Sequence, residues 1–411
     1  SPYRVGVAAV DITPPIGVPL AGYGGGGRRA AFLSRPGKYN TYLTPSEGIL
    51  DPIYARAFYV EAGEKRLLFV SVDMIGASKK MRADILPKLT GFTDNEFFIS
   101  GTHTHSGPGA FENNWLWSVI AADKFKQEVY DYLVAGIMNA IDKARATAQP
   151  ANVFEYSFEP QGLQSNRRNR PGHFDPSANV IVARGFREEW IGGIVNFAIH
   201  GTILGGGNQK YSADVNGAIA TKTEDIFALK NPRISPRPVF LFVNGAEGDV
   251  APSRTWPMGE MGERFATDAM KFSFRARALK PQWKVKQAIV DLGSPKVGKC
   301  TKTNVGWFFL QALDPLLLTA FPTEARVWSL AWDDLRIGTL PGEGTTDIGY
   351  AMKKHAFESG ARQAMVFGLT NDHLSYLVTP SEYWEGDYEA CSSFYGPDGG
   401  VKIVEQYKNM L

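Results

Sequence analysis

With 411 residues, of which 44% are hydrophobic, 12% aromatic and 21% charged, the chain has the makeup of a globular protein with a substantial core, which excludes a disordered chain. Its 44 basic and 42 acidic residues leave a net charge of +2, so nothing in the bulk charge points to nucleic acid or an anionic membrane as the main partner. Cys300 and Cys391 are the only cysteines, which excludes a disulfide-rich scaffold and a thiolate zinc cluster and leaves open both one disulfide and two buried free thiols.

The sequence opens at Ser1 without Met, which fits removal of an export signal as well as a trimmed terminus; a secreted or periplasmic location is the expectation. Apolar runs at 54–60, 66–72, 96–99, 180–183, 190–198 and 239–243 predict strands, several of them apolar enough to be buried on both faces. Helical periodicity predicts helices at 122–144, 213–229, 262–279 and 345–357. Turn-rich stretches at 22–29, 166–172 and 205–209 are too short to act as linkers, and no repeat is visible. The expected fold is therefore α/β, with layered mixed β-sheets flanked by helices in one large catalytic domain, 1–411. The most apolar stretch, 305–321, is interrupted by Gln311, Asp314 and Pro315, so it is no transmembrane segment. It is read as buried core, in preference to an apolar lip that receives a lipid chain.

Strands run directly into polar, glycine-containing turns at Gly101-Thr102-His103-Thr104-His105, at His200-Gly201-Thr202 and at Leu340-Pro341-Gly342-Glu343. A rigid strand followed by an exposed turn is where reactive side chains collect in α/β proteins. The chain has only six histidines, and His103, His105 and His200 all occupy such turns. Residues two apart in extended backbone point the same way, so His103 and His105 can face one cleft, with one as metal ligand and the other free for proton transfer. Cysteines being scarce, a zinc site here would use imidazole and carboxylate, and a His/His/Glu set with an open water position is a known catalytic arrangement. Glu343 is the chosen carboxylate; the plainer reading is that it caps the helix that follows. His173, His355 and His373 lack such a setting and are read as structural or surface residues. The run Arg167-Arg168-Asn169-Arg170 is read as a solvated or active-site loop, the glycines at 24–27 lack the Lys-Ser/Thr of a phosphate loop, and no Gly-x-Ser-x-Gly elbow occurs.

The segment Gly101-Thr102-His103-Thr104-His105-Ser106-Gly107-Pro108-Gly109 resembles the neutral/alkaline non-lysosomal ceramidase family. The likeness continues in order through Phe197-Ala198-Ile199-His200-Gly201-Thr202, residues 245–252, Leu340-Pro341-Gly342-Glu343-Gly344-Thr345-Thr346 and Gly368-Leu369-Thr370-Asn371. The resemblance implies one zinc ion held by His103, His200, Glu343 and Tyr376, with His105, Tyr388 and an arginine following an asparagine at the reacting centre; Arg167, after Asn166, is the best match. It implies a zinc-dependent hydrolase of an N-acyl amide such as ceramide, acting on a lipid or small-molecule substrate through zinc-activated water. Where the family carries a functionally important serine, in Gly-Asp-Val-Ser-Pro, this chain has Ala251, and the sequence stops where the family's C-terminal immunoglobulin-like domain would begin. Those departures motivate two other readings: a zinc esterase or deacetylase acting on a small polar or carbohydrate substrate, and a non-catalytic binding homologue.

Overall fold

The computed structural model describes residues 3–32, 34–233, 235–300 and 304–411, so Ser1 lies outside it. Its main sheet contains β1 (Tyr3–Asp11), β2 (Tyr54–Ala62), β3 (Lys65–Val72), β4 (Phe97–Gly101), β5 (Gln149–Phe158), β6 (Ala178–Gly185), β7 (Trp190–Phe197) and β8 (Val239–Asn244), in the spatial order β8-β7-β6-β5-β1-β2-β3-β4, with Arg277–Ala278 as a ninth strand beside β5. The sheet is mixed: β3 and β4 pair in parallel, as do β7 and β8, and the other pairs are antiparallel. A second, four-stranded sheet follows, built from β9 (Trp283–Asp291), β10 (Glu324–Trp332), β11 (Leu335–Thr339) and β12 (Gln363–Phe367).

Period-two side-chain alternation stacks these elements into four layers. From β2, Ala55, Ala57 and Tyr59 meet the apolar face of α1 (Gln127–Ala146), including Leu133 and Ile137, while Phe58 and Val60 point to the opposite side, against Trp328 and Trp332 of the second sheet. From β8, Phe240 and Phe242 pack under α2 (Asp214–Ala228) and α3 (Met258–Phe272), while Leu241 and Val243 face the second sheet. The far side of that sheet is closed by α4 (Thr346–Glu358) and α5 (Gly399–Met410) through Ile348, Met352, Ile403 and Tyr407. Main-sheet strands covered on both faces need apolar residues at successive positions, which is why they read as unbroken runs. Emptying one such position, as in Phe58→Ala, costs about 3–5 kcal/mol.

Three expectations change. The helix expected at 122–144 starts at Gln127, because Asp123 adopts φ +66 and its carboxylate accepts the backbone N–H groups of Thr41, Tyr42, Leu43 and Lys124. The helix expected at 262–279 runs instead from Met258 to Phe272, then gives way to a tight turn and the strand Arg277–Ala278. The stretch 305–321 is not core: Phe308 and Phe309 are 71% and 72% exposed, and Leu313, Leu316 and Leu318 are also open to solvent. Its helical turns lie on the outside, anchored through Leu317 and Phe321, and no described helix is long and apolar enough to cross a membrane. Cys300 and Cys391, 91 residues apart, are joined in a disulfide.

Candidate active site

The turns leaving β4 and β7 are stitched to each other. Thr104 and Gly201 form an isolated parallel bridge, and the His105 N–H donates to Gly201 O at 3.0 Å. Two buried asparagines reinforce the join: Asn216 Nδ2 donates to Thr102 O (2.5 Å) and Ile199 O (3.1 Å), and Asn244 Nδ2 donates to the same carbonyls at 3.1 and 2.9 Å. A Cβ on Gly201 would stand 2.6 Å from His103 O, so glycine is what lets the two turns approach. His103 itself sits at φ +73, a conformation that costs a non-glycine residue about 1–3 kcal/mol and is typical of functional positions.

Glu343 and Tyr376 arrive from the second sheet. After β11 and β12 the chain forms a short parallel pair, Glu343–Gly344 with Tyr376–Leu377, that sets Glu343 opposite Tyr376. Glu343 does not cap α4: the Thr346 N–H is taken by Asp249 Oδ1 at 2.8 Å, and the Glu343 carboxylate turns towards the histidines. Its Oε1 lies 2.9 Å from His103 Nε2 and 3.1 Å from His200 Nε2, and Tyr376 OH lies 3.3 Å from His200 Nε2.

These donors fit a divalent cation. His103 Nδ1 donates to Ile75 O at 2.7 Å and His200 Nδ1 to Glu247 O at 2.9 Å; a carbonyl only accepts, so each neutral ring carries its proton on Nδ1 and presents a bare Nε2 lone pair. Lone pairs aimed at a carboxylate oxygen repel it unless a proton or a metal cation lies between them. Zinc–ligand bonds of about 2.0–2.1 Å in a tetrahedral site put neighbouring donors about 3.3 Å apart, close to the spacings here. For the protein groups alone, burial would lower His103, but Glu343 beside it raises it to about 8, whereas burial and then Arg167 push His200 down to about 3. Burial would raise Glu343, but His103 and hydrogen bonds from His103, His200 and His373 hold it well below the usual carboxylate range.

His105 differs from its neighbours. Its Nε2 is 3.3 Å from His103 Nε2, so it belongs to the same cluster, but its buried Nδ1 has no hydrogen-bond partner among the described residues. Its ring is set by packing instead, 4.9 Å from the Tyr23 ring and against Gly22, where an added Cβ would lie 2.7 Å from His105 Nδ1. Burial, then His103 and His200, keep it well below the usual imidazole value.

Of the three clustered arginines only Arg167 enters the site, donating from Nη2 to Tyr376 OH and from Nε to Glu389, each at 2.6 Å. Arg168 turns to Glu385 and Glu389, and Arg170 to Asp347, Glu382 and Glu385. Tyr388, 62% exposed, stands at the mouth with its ring 5.5 Å from that of Tyr376. His103, His105, Arg167, Glu343, Tyr376 and Tyr388 open onto one cavity of about 810 Å³, walled by Ile75, Trp117, Ile120 and Phe394 and rimmed by residues 22–27, while His200 is fully buried. Ala251 does not line it: that residue pairs with Ser165 in a short two-stranded ladder.

Three participants escaped the sequence reading. His373, read as structural or surface, donates from Nε2 to Glu343 Oε2 at 3.1 Å and stacks on Trp117. Tyr23 supports His105, and buried Arg28 ties down the His105 carbonyl with further bonds to Ala21 O and Asn208 O. None lies in a strand-end turn of the kind that marks His103, and each reaches the site only through tertiary packing. His173 and His355 pair with Asp347 and Glu358, away from the cavity.

The chain is similar to known proteins over most of its length. The family described as "Neutral/alkaline non-lysosomal ceramidase, N-terminal" matches residues 3–271. The chain is 24% identical to a neutral ceramidase of Pseudomonas aeruginosa over 96% of its own length and 70% of that protein. It is 25% identical to one of Mycobacterium tuberculosis over 85% and 69%, and 28% identical to one of Oryza sativa over 55% and 29%. The crystal structure of the Pseudomonas aeruginosa neutral ceramidase superposes with a TM-score of 0.82 at 22% identity, covering 100% of this chain and 74% of that one. The chain belongs to the neutral/alkaline non-lysosomal ceramidase family.

Proposed function

We propose that residues 1–411 form one catalytic unit that hydrolyses the N-acyl amide bond of a ceramide-like lipid, using a single zinc ion held by His103, His200, Glu343 and Tyr376. The observation that carries this reading is the convergence of those donors, at 2.9–3.3 Å, beside a cavity of about 810 Å³ that has an apolar wall and is lined by His103, Glu343 and Tyr376. A zinc ion in that site supplies Lewis acidity, polarising an acyl carbonyl and making water nucleophilic near neutral pH. Ile75, Trp117, Ile120 and Phe394 offer the acyl chain its contact surface. Arg167, locked by Glu389, holds the Tyr376 oxygen and keeps positive charge near the carbonyl; with the Tyr388 hydroxyl it stabilises the developing oxyanion, a contribution of about 2.7–4 kcal/mol for a well-placed donor. His105 takes a proton from the attacking water and passes it to the departing amine, a role suited to an imidazole whose Nδ1 has no partner among the described residues. A serine at position 251 is not required, because that position lies outside the cavity wall. The disulfide supports a secreted or periplasmic location, where such bonds persist.

The test is hydrolysis by zinc-replete protein of long-chain ceramide in mixed micelles, short N-acyl amides and matched esters. Amide cleavage that is lost on chelation and restored by zinc supports the proposal. Turnover of esters alone refutes the amide assignment, and no turnover at one zinc per chain favours a binding protein.

A further inference from the structure

Glu247 lies in the turn after β8 and has two separate connections to the site. Its carbonyl accepts from His200 Nδ1 at 2.9 Å and so orients one donor. Its side chain runs inward: the residue is 0% exposed, and neither carboxylate oxygen has a hydrogen-bond partner among the described residues. One carboxylate oxygen of Glu247, one of Glu343 and a ring nitrogen of His103 lie within 4.8 Å of one another. Arg167, the arginine that enters the site, is already committed to Glu389 and Tyr376. Two buried carboxylates flanking one histidine, one of them with no hydrogen-bonding side chain among the described residues, is an arrangement that a folded protein sustains only with a counter-charge or by holding a proton.

We propose that Glu247 is an additional anionic ligand of the same divalent ion that His103 and Glu343 hold, so that two carboxylates balance its charge. This inference rests on the metal-site reading above and extends the donor set by one residue. Glu247→Gln preserves shape and removes the charge, which makes it the variant of choice; Glu247→Asp keeps the charge but withdraws the oxygens.

The experiment compares wild type, Glu247→Gln, Glu247→Asp and His200→Ala for zinc stoichiometry by elemental analysis, zinc affinity by competition with a chromophoric chelator, and melting temperature with and without zinc. The expected result is one zinc per wild-type chain, with affinity about 10–100-fold lower in Glu247→Gln. Zinc should raise the melting temperature of Glu247→Gln less than that of wild type. A purely structural glutamate would leave that zinc-induced rise unchanged. Zinc affinity of Glu247→Gln within about threefold of wild type would overturn the inference, the lower end of the expected range being about tenfold. A fall from two ions to one in Glu247→Gln would also overturn it, in favour of a second ion. Failure of the underlying reading has a different signature: wild type and His200→Ala would both bind no stoichiometric zinc.

Discussion

His105→Ala and His200→Ala remove the same chemical group from one cluster and are expected to fail differently. His200 is anchored through Nδ1 to Glu247 O and Val250 O, at 2.9 and 3.1 Å, and its Nε2 faces Glu343; His105 has no Nδ1 partner among the described residues. Loss of even an orienting partner typically costs about 10–100-fold in metal affinity, so removing the His200 donor itself should cost more than about 100-fold, while His105→Ala should change affinity by less than about threefold. Losing a general acid lowers turnover about 10²–10⁴-fold, or about 2.7–5.4 kcal/mol at 1.36 kcal/mol per decade. The assay is zinc content after dialysis, zinc affinity by chelator competition, and kcat on an N-acyl amide at saturating zinc. His105→Ala should keep one equivalent of zinc and lose kcat; His200→Ala should lose zinc. Equal metal loss in both would refute the division of roles, and full turnover by His105→Ala would refute the proton-transfer role.

Arg167→Lys cannot reach Glu389 and Tyr376 OH together, so kcat should fall at least tenfold, about 1.4 kcal/mol, with zinc content unchanged; an unchanged kcat contradicts the role given to its fork. Asn244→Ala orphans the Ile199 N–H, while Asn216 still serves Thr102 O and Ile199 O and Phe197 O still serves the Gly245 N–H, so with about 1–3 kcal/mol lost per orphaned group it should destabilise by roughly 1–3 kcal/mol in denaturant titration. Cys391→Ser should cost about 2–5 kcal/mol, and reductant should lower wild type to the same level while leaving the variant unchanged. Burial lifts Glu112 from 4.5 to about 7, so between those values the folded state binds the extra proton and this residue's contribution to stability falls as pH rises. The melting temperature of Glu112→Gln relative to wild type should therefore climb from pH 5 to pH 8, and a flat difference would contradict the shift.

Six strands of the main sheet were legible because they are covered on both faces, which leaves unbroken apolar runs such as those ending at Ile99 and Val243, whereas β1 and β5, with Arg4 and Asn152 among their exposed positions, gave no such run. Of the second sheet only β11, the strand that runs into the turn at Leu340, was legible: β9 alternates poorly, with Lys284, Ile289 and Asp291 open to solvent, so its composition does not announce a strand. His103, His105, His200 and Glu343 stood out because each sits in a glycine-bearing turn at a strand end, where backbone geometry and chemistry coincide. Glu247 also lies in such a turn, but nothing local distinguishes an inward carboxylate from a solvated one. The segment 305–321 misled for the opposite reason: its apolar residues have the density of core, yet only Leu317 and Phe321 among those described are buried. Beside it, Trp117 stacks on His373 and touches Phe321, so the exposed apolar face continues into the cavity wall.

The most direct measurement is anomalous diffraction at the zinc edge from crystals grown with zinc. The account predicts one strong peak within about 2.0–2.2 Å of His103 Nε2, His200 Nε2 and a Glu343 oxygen. A peak bonded elsewhere, or none at that position in protein that hydrolyses N-acyl amides, would contradict it.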